Sequence, residues 1–309
     1  MNPGLPRRAI LRASGIPTSF IRSFDSTTSA VPSSLLTWFD VIGYTVFLEK
    51  DIITFGNWTE RSSITEVVLR DRLHSAVQRI NPSLSSEAIT QAICQVNCIG
   101  NLTLFENNRH FHQLLTAGVD VTYQLNHKLV HEKVWLIDAD NLLNNDWLVI
   151  HPFTVKQESY IQSLDVVVFI NGLPLAVIIW NPIDETATLK TAYGRFQTHL
   201  QKLPKLFFYN AFVVIAYGSR ARVGTLTSDW QEYLPWRTID GEDFPSTGET
   251  QLEVLIQGIF DKRRLLELVR HFLVFEENTN CIHKKFLRHP FCTICNPSSH
   301  KAMTGNHIF

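Results

Sequence analysis

Cysteine is scarce in this 309-residue chain, with five, and methionine scarcer still, with two. The cysteines fall into no even, closely spaced framework, which argues against a disulfide-stapled secreted domain and makes a reducing cytoplasm the expected location. An excess of one charge sign is missing too: 28 Lys and Arg stand against 29 Asp and Glu, a net charge of -1. Without a global basic field, any contact with nucleic acid has to come from a local patch. No apolar run is long enough to cross a bilayer, because the longest, Val166 to Trp180, is broken by Asn171-Gly172 and Pro174. The sequence also lacks a G-x-x-x-x-G-K-[ST] loop, so no phosphate cradle for ATP-driven work is expected from it. What remains is globular composition, 45% hydrophobic and 18% charged, enough for a sizeable core.

Acids are absent from both ends. Residues 1 to 24 carry Arg7, Arg8, Arg12 and Arg22 with several Ser and Pro, and residues 1 to 33 are read as a disordered extension, with an organellar transit peptide as the alternative. From Cys281 to Phe309 the chain gathers Cys281, Cys292, Cys295, His283, His289, His300 and His307. Cys292-x-x-Cys295, with His289 or His300, offers half of a zinc site, but no second half has a recognisable spacing. Residues 277 to 309 are therefore read as an atypical, disordered tail.

Between the ends the pattern is mixed α and β. Helices are expected from Leu35 to Ile42, stopped by Gly43; after a capping-box pattern at Ser63-x-x-Glu66, with Val67, Val68, Ala76, Val77 and Ile80 at helical spacing up to Asn81-Pro82; and from Glu87 to Val96. These three are expected to form a helical N-terminal layer. Strands are expected over Val119–Leu125, Leu129–Ile137 and Trp147–Val155. Next come Asp165 to Ile170, a two-residue Asn171-Gly172 turn suited to type I′, and Leu175 to Trp180. A helix from Ala187 to Leu203 with Leu189, Ala192, Tyr193, Phe196, Leu200 and Leu203 on one face, a buried strand from Phe207 to Ala216, and a last helix from Gln251 to Phe275 complete the pattern.

An acid opening an apolar strand, a tight turn, a second apolar strand, a helix and a strand are the core order of PD-(D/E)xK nucleases. Separate stretches sharpen the likeness: Glu66-Val67-Val68-Leu69-Arg70-Asp71-Arg72-Leu73, Glu106-Asn107-Asn108-Arg109-His110-Phe111-His112, Leu136-Ile137-Asp138 with Asn144-Asn145-Asp146, Asp165 through Leu175, Tyr209-Asn210-Ala211, Ala221-Arg222-Val223-Gly224-Thr225-Leu226-Thr227, and Leu234-Pro235-Trp236-Arg237-Thr238-Ile239-Asp240-Gly241. Over Trp38 to Glu276 the chain resembles the N-terminal endonuclease domain of the R (restriction) subunit of type I restriction-modification enzymes. The resemblance implies an α/β fold with a restriction-endonuclease-like core, a mixed sheet flanked by helices, over residues 34 to 276. It also implies Mg²⁺-dependent hydrolysis of DNA phosphodiesters, with DNA and the methylation and specificity subunits as partners and no membrane.

The chemistry implied by that resemblance is incomplete here. Carboxylates hold the metal, the metal activates water, and a lysine supports the attack. Asp165 stands at the first metal-binding aspartate, although Leu164 replaces the usual proline. The second strand of the family runs Val-Ile-Glu-Leu-Lys-Asn-Pro; here Val177-Ile178-Ile179-Trp180-Asn181-Pro182 puts Ile179 at the glutamate and is one residue short, with Trp180 where the lysine is due. The family's Gln-x-x-x-Tyr pair aligns with Arg195 and His199, read as an exposed pair on a solvated helix face or as a contact for a DNA phosphate. Trp180 is read as core rather than a base-stacking platform. Glu66 is a second candidate metal carboxylate if it does not serve as a helix cap, and Asp184 and Glu185 lie off the strand. The sequence therefore reads as an inactive nuclease-domain fragment, for which a truncated or frameshifted gene is one expected origin. The alternatives are an active endonuclease with relocated carboxylates and a zinc-binding or interaction protein built on the tail.

Overall fold

The structure, a computed structural model, describes residues 31–53, 60–100, 102–125, 128–239, 248–278 and 281–287. Of the extension expected over residues 1 to 33, residues 1–30 lie outside the described residues, as do Cys292, Cys295, His289, His300 and His307, while Val31 is buried and Ser33 opens a helix. Among the described residues no helix is long and apolar enough to cross a membrane.

The centre is a hairpin in which every residue is buried. Strand β7 (Val166–Ile170) and strand β8 (Leu173–Asn181) are apolar on both faces, which fits strands covered by helices on each side. They lie in the middle of a six-stranded mixed sheet that also contains β1 (Thr45–Leu48), β4 (Trp147–His151), β9 (Phe212–Tyr217) and β10 (Arg220–Gly224), in the order β1-β4-β7-β8-β9-β10. β1 runs parallel to β4 and β8 parallel to β9, and the other pairings are antiparallel. Together with the flanking helices this is the mixed α/β, restriction-endonuclease-like architecture expected.

The hairpin turn has the predicted form. Asn171 and Gly172 have φ of 54° and 78°, the left-handed pair that a type I′ turn needs. Asn171 is fully buried, and its side chain is fixed on all sides. Its Nδ2 donates to the Leu136 carbonyl at 2.8 Å and to Asn145 Oδ1 at 2.9 Å, and its Oδ1 accepts from Asp146 N at 2.7 Å. Asp138 braces that socket, accepting from the main-chain N–H groups of Asp140 and Asn141 and from Asn144 Nδ2. Gly172 is pressed against the start of helix α3 (Arg70–Ile80): Leu69 N donates to its carbonyl at 2.9 Å, and a Cβ on Gly172 would lie 2.4 Å from the Leu69 oxygen.

Two faces cover the sheet. Helix α6 (Leu189–Lys202) packs on β8 and β9, burying Ala192, Phe196, His199 and Leu200. On the other face Phe212 of β9 meets Phe260, which follows α8 (Gln251–Ile259), and Phe260 in turn meets Phe39 of α1 (Ser33–Val41). Helix α1 thus packs mainly with α8 and β1, which runs on into the short helix α2 (Glu49–Ile53), while α3 packs with α4 (Ser86–Asn97) and α4 on the hairpin of β2 (Val119–Leu125) and β3 (Lys128–Val134), so the expected N-terminal helical layer is divided.

Several element boundaries differ from expectation, each for a local reason. α3 begins at Arg70, because the Ser63-to-Glu66 stretch forms a turn in which Glu66 N donates to the Ser63 carbonyl. A capping box does occur at Thr103 and Glu106, opening α5 (Leu104–Ala117), a helix not anticipated. The single strand expected over Trp147–Val155 is split at Pro152, which has no N–H for the ladder, into β4 and β5 (Phe153–Gln157), the latter paired with β6 (Tyr160–Leu164). Before β9, Pro204–Phe207 form a short helix, α7. The long final helix breaks at Phe260, where Asp261 caps the next helix, α9 (Lys262–Glu267); a π-helical turn (Leu268–Phe272) then leads into β11 (Leu273–Asn278).

The boundary drawn at residue 276 runs through a hairpin. β11 pairs with β12 (Cys281–Phe286), whose Lys284 is buried, donating to Asn108 Oδ1 at 3.0 Å and to the Asn210 carbonyl at 2.7 Å. Phe286 packs on Phe212. Residues 281 to 287 thus belong to the folded chain.

Gly172→Ala is expected to cost about 2 kcal/mol or more in a denaturant titration, from the left-handed backbone and the contact with Leu69 combined. A loss under about 0.5 kcal/mol would show that the turn can move away from α3.

Candidate active site

Strand register decides which side chains meet. Val166 of β7 stands opposite Ile178 of β8, so extending the ladder by one residue puts Asp165 across from Ile179. Side chains alternate along a strand, so Ile179 and Asn181 share one face and Ile178 and Trp180 the other. The parallel pairing of Trp180 with Ala216 and of Ala176 with Phe212 puts Trp180 on the face that meets Phe260. Ile179 and Asn181 face α6.

Asp165 lies in this α6-facing cluster, 6% exposed. Its Oδ2 accepts from Trp180 N at 2.9 Å and from Arg195 Nη2 at 3.1 Å, and its Oδ1 lies 3.3 Å from the same Nη2. Arg195 Nη1 donates to the Trp180 carbonyl at 3.1 Å and to Asn181 Oδ1 at 2.5 Å. Asn181 Nδ2 donates to Thr191 Oγ1 at 3.1 Å, which ties the strand end to the first turn of α6. The His151 ring meets the Asp165 carbonyl through Nδ1 at 2.5 Å.

Arg195 is therefore neither exposed nor idle, which corrects the expected solvated pair: it is ion-paired with Asp165 and its side chain is about one-third exposed. His199 differs as well. It is buried, and neither ring nitrogen has a hydrogen-bond partner. Burial, and then the neighbouring Arg195 charge, push its pKa down to about 4, so the imidazole is neutral near pH 7. The signal was present in the sequence: His199 stands three residues beyond Phe196 and seven beyond Ala192, on the core stripe of the helix.

The other candidates are engaged elsewhere. Trp180 is buried, as expected, and its indole Nε1 donates to the Gly218 carbonyl at 3.1 Å. Ile179 is fully buried. Glu66 is not a helix cap; its Oε2 accepts from Ser62 N and Oγ at 3.0 and 3.1 Å, and Arg70 lies 3.7 Å from its other oxygen. Asp184 closes an exposed turn by accepting from Thr186 and Ala187, which holds its pKa below the usual carboxylate range, and Glu185 is exposed. Cys281 is exposed on β12 beside His283. Among the described residues no three His, Cys, Asp or Glu side chains converge as a metal site would require. Sequence reasoning missed Asn181, two positions past Ile179, which supplies an oxygen to Arg195.

The chain is similar to known proteins over most of its length. Residues 30–232 match the family described as the type I restriction enzyme R protein N terminus. The type I restriction enzyme HindI endonuclease subunit of Haemophilus influenzae is 29% identical over 244 residues, covering 77% of this chain and 23% of that protein. A protein of Methanocaldococcus jannaschii provisionally named type I restriction enzyme MjaIXP endonuclease subunit is 26% identical over 239 residues, covering 71% of this chain and 23% of its own length. The chain thus spans about a quarter of the length of the curated relatives it matches.

Two outcomes are expected at this cluster. The unfolded chain takes up a proton on His199 near the ordinary 6.5 while the folded chain resists it down to about 4, so stability falls as pH drops through that window, by at most about 1.4 kcal/mol per pH unit from this group. His199→Leu removes that part of the slope in urea titrations at stepped pH and leaves stability at pH 7 equal or higher, because two orphaned nitrogens leave the core. Asp165→Ala, leaving the guanidinium unpaired, is expected to cost roughly 1–3 kcal/mol, less than a fully buried pair would because Arg195 keeps some water.

Proposed function

The chain belongs to the family of type I restriction enzyme R protein N-terminal domains, and on that premise we propose that it is a nuclease-fold module of a DNA restriction system that does not itself cut DNA. The observation that carries this is the pairing of Asp165 with Ile179. Where a second carboxylate and a lysine would complete the family's site, the α6-facing side of β8 offers an isoleucine and, two residues on, Asn181.

A hard divalent ion such as Mg²⁺ needs several oxygen ligands with carboxylate charge among them. Asp165 brings one charge, already engaged by Arg195, and the residues present do not fit the ion. Of the acids available for relocation, Glu66 is held by Ser62 and Asp184 by its own turn, and Glu185 is exposed, so nothing favours an active nuclease with moved carboxylates. Attachment to DNA and to methylation and specificity subunits is the role that stays open to an intact fold with a silent site.

Supercoiled plasmid incubated with the purified protein and Mg²⁺ or Mn²⁺ is expected to stay supercoiled, with Asp165→Ala indistinguishable from the parent. Nicking or linearisation by the parent that Asp165→Ala abolishes would overturn the proposal.

A further inference from the structure

We propose that the guanidinium of Arg195 is the resident cation of this site, gathering the oxygen atoms that would otherwise face a divalent ion and closing Asp165 to metal. The inference rests on the reading of the cluster as a nuclease site without its second carboxylate, and it adds what fills that site.

The atoms around the guanidinium carry the argument. Four oxygens turn toward it: both carboxylate oxygens of Asp165 at 3.1 and 3.3 Å, the main-chain carbonyl of Trp180 at 3.1 Å and the side-chain oxygen of Asn181 at 2.5 Å. Carboxylate, carbonyl and amide oxygens are the donors a hard cation selects. They come from the start of β7 and the end of β8, and Arg195 reaches them from the second turn of α6, so the cation is delivered by the element that packs over the sheet.

Charge balance points the same way. One guanidinium neutralises one carboxylate, so a divalent ion entering while Arg195 is in place would leave its whole charge unbalanced beside a buried isoleucine and a buried imidazole, a cost that removal of the guanidinium relieves. The planar fork of arginine can also serve Asp165 on one nitrogen and the strand end on the other, which a spherical ion at coordination distance does not need and a lysine could not match. A glutamine at this position would offer neither the charge nor the fork.

The test uses the full chain and thermal melting, so that it does not depend on cleavage. The wild-type Tm is expected to be the same in EDTA and in millimolar Mg²⁺ or Mn²⁺ at matched ionic strength. Arg195→Gln releases the oxygens, so Mn²⁺ is expected to raise its Tm by about 2–4 °C once the ion exceeds its Kd about tenfold. That gain is expected to vanish in the Asp165→Asn/Arg195→Gln double variant. A metal-dependent rise in the wild type that Asp165→Asn removes, or an Arg195→Gln protein indifferent to metal, would overturn the inference. If Arg195→Gln does not fold, Mn²⁺ binding by electron paramagnetic resonance on wild type and Asp165→Asn decides: equal binding supports the inference, and Asp165-dependent binding defeats it. Cleavage by the wild type would count against the functional proposal, whereas metal indifference of Arg195→Gln without any cleavage would count only against this one.

Discussion

The Asn171-Gly172 turn is the constraint from which the rest of this architecture follows. The hairpin it closes is buried along its whole length, so its polar turn enters the interior and each hydrogen-bonding group needs a partner there. Asn171 meets that demand with Leu136, Asn145 and Asp146, and the bare α-carbon of Gly172 admits Leu69 and the start of α3. A tight turn also fixes register. With Val166 opposite Ile178, Asp165 falls beside Ile179 and below α6 whatever chemistry those residues then support.

The stretches that carry the family resemblance in the sequence serve the fold around this turn. The Leu136-Ile137-Asp138 and Asn144-Asn145-Asp146 stretches form the socket of the turn. In the Glu106-to-His112 stretch, Glu106 caps α5, and Asn108 holds the carbonyls of Phe207, Phe208 and Asn210. Thr225 and Thr227 of the Ala221-to-Thr227 stretch donate to the Lys284 carbonyl, and Gly224 leaves room for the Tyr233 ring. All of these satisfy buried polar groups or close packing. Ile179, Trp180, Arg195 and His199, the positions at which the proposed loss of chemistry is read, take no part in those networks. A fold loses several kcal/mol when a buried hydrogen-bond network is broken and little when a catalytic carboxylate is exchanged for an apolar residue of fitting size.

The sequence was legible where the physics is local or periodic. Apolar runs, the Asn-Gly dipeptide and the stripe on α6 were enough for the central hairpin and the helix after it, while the family was legible only as a resemblance carried by separate stretches from Glu66 to Gly241. Boundaries were less so: Ser63 and Glu66 match a capping box, yet Glu66 is held at Ser62 while Arg61, anchored to Glu49 and the Thr154 carbonyl, fixes the loop ahead of α3. The hairpin β11–β12 was hidden for a related reason, since a short strand with Lys284 in its interior shows no apolar alternation; its amine is accepted by partners 176 and 74 residues away.

By itself, then, the sequence determined the class of fold, the central hairpin with its turn, and the apolar Ile179 and Trp180 at the end of the second strand, because each of these is written in residue type and spacing. Only the tertiary structure decided that Arg195 reaches back 30 residues to Asp165 and that His199 lies buried without a partner. It also decided that Asn181, not Trp180, shares the face of Ile179. Those facts depend on how α6 docks across the end of β8 and on which side of the sheet each residue falls, and docking is settled by packing among distant segments that no local pattern records.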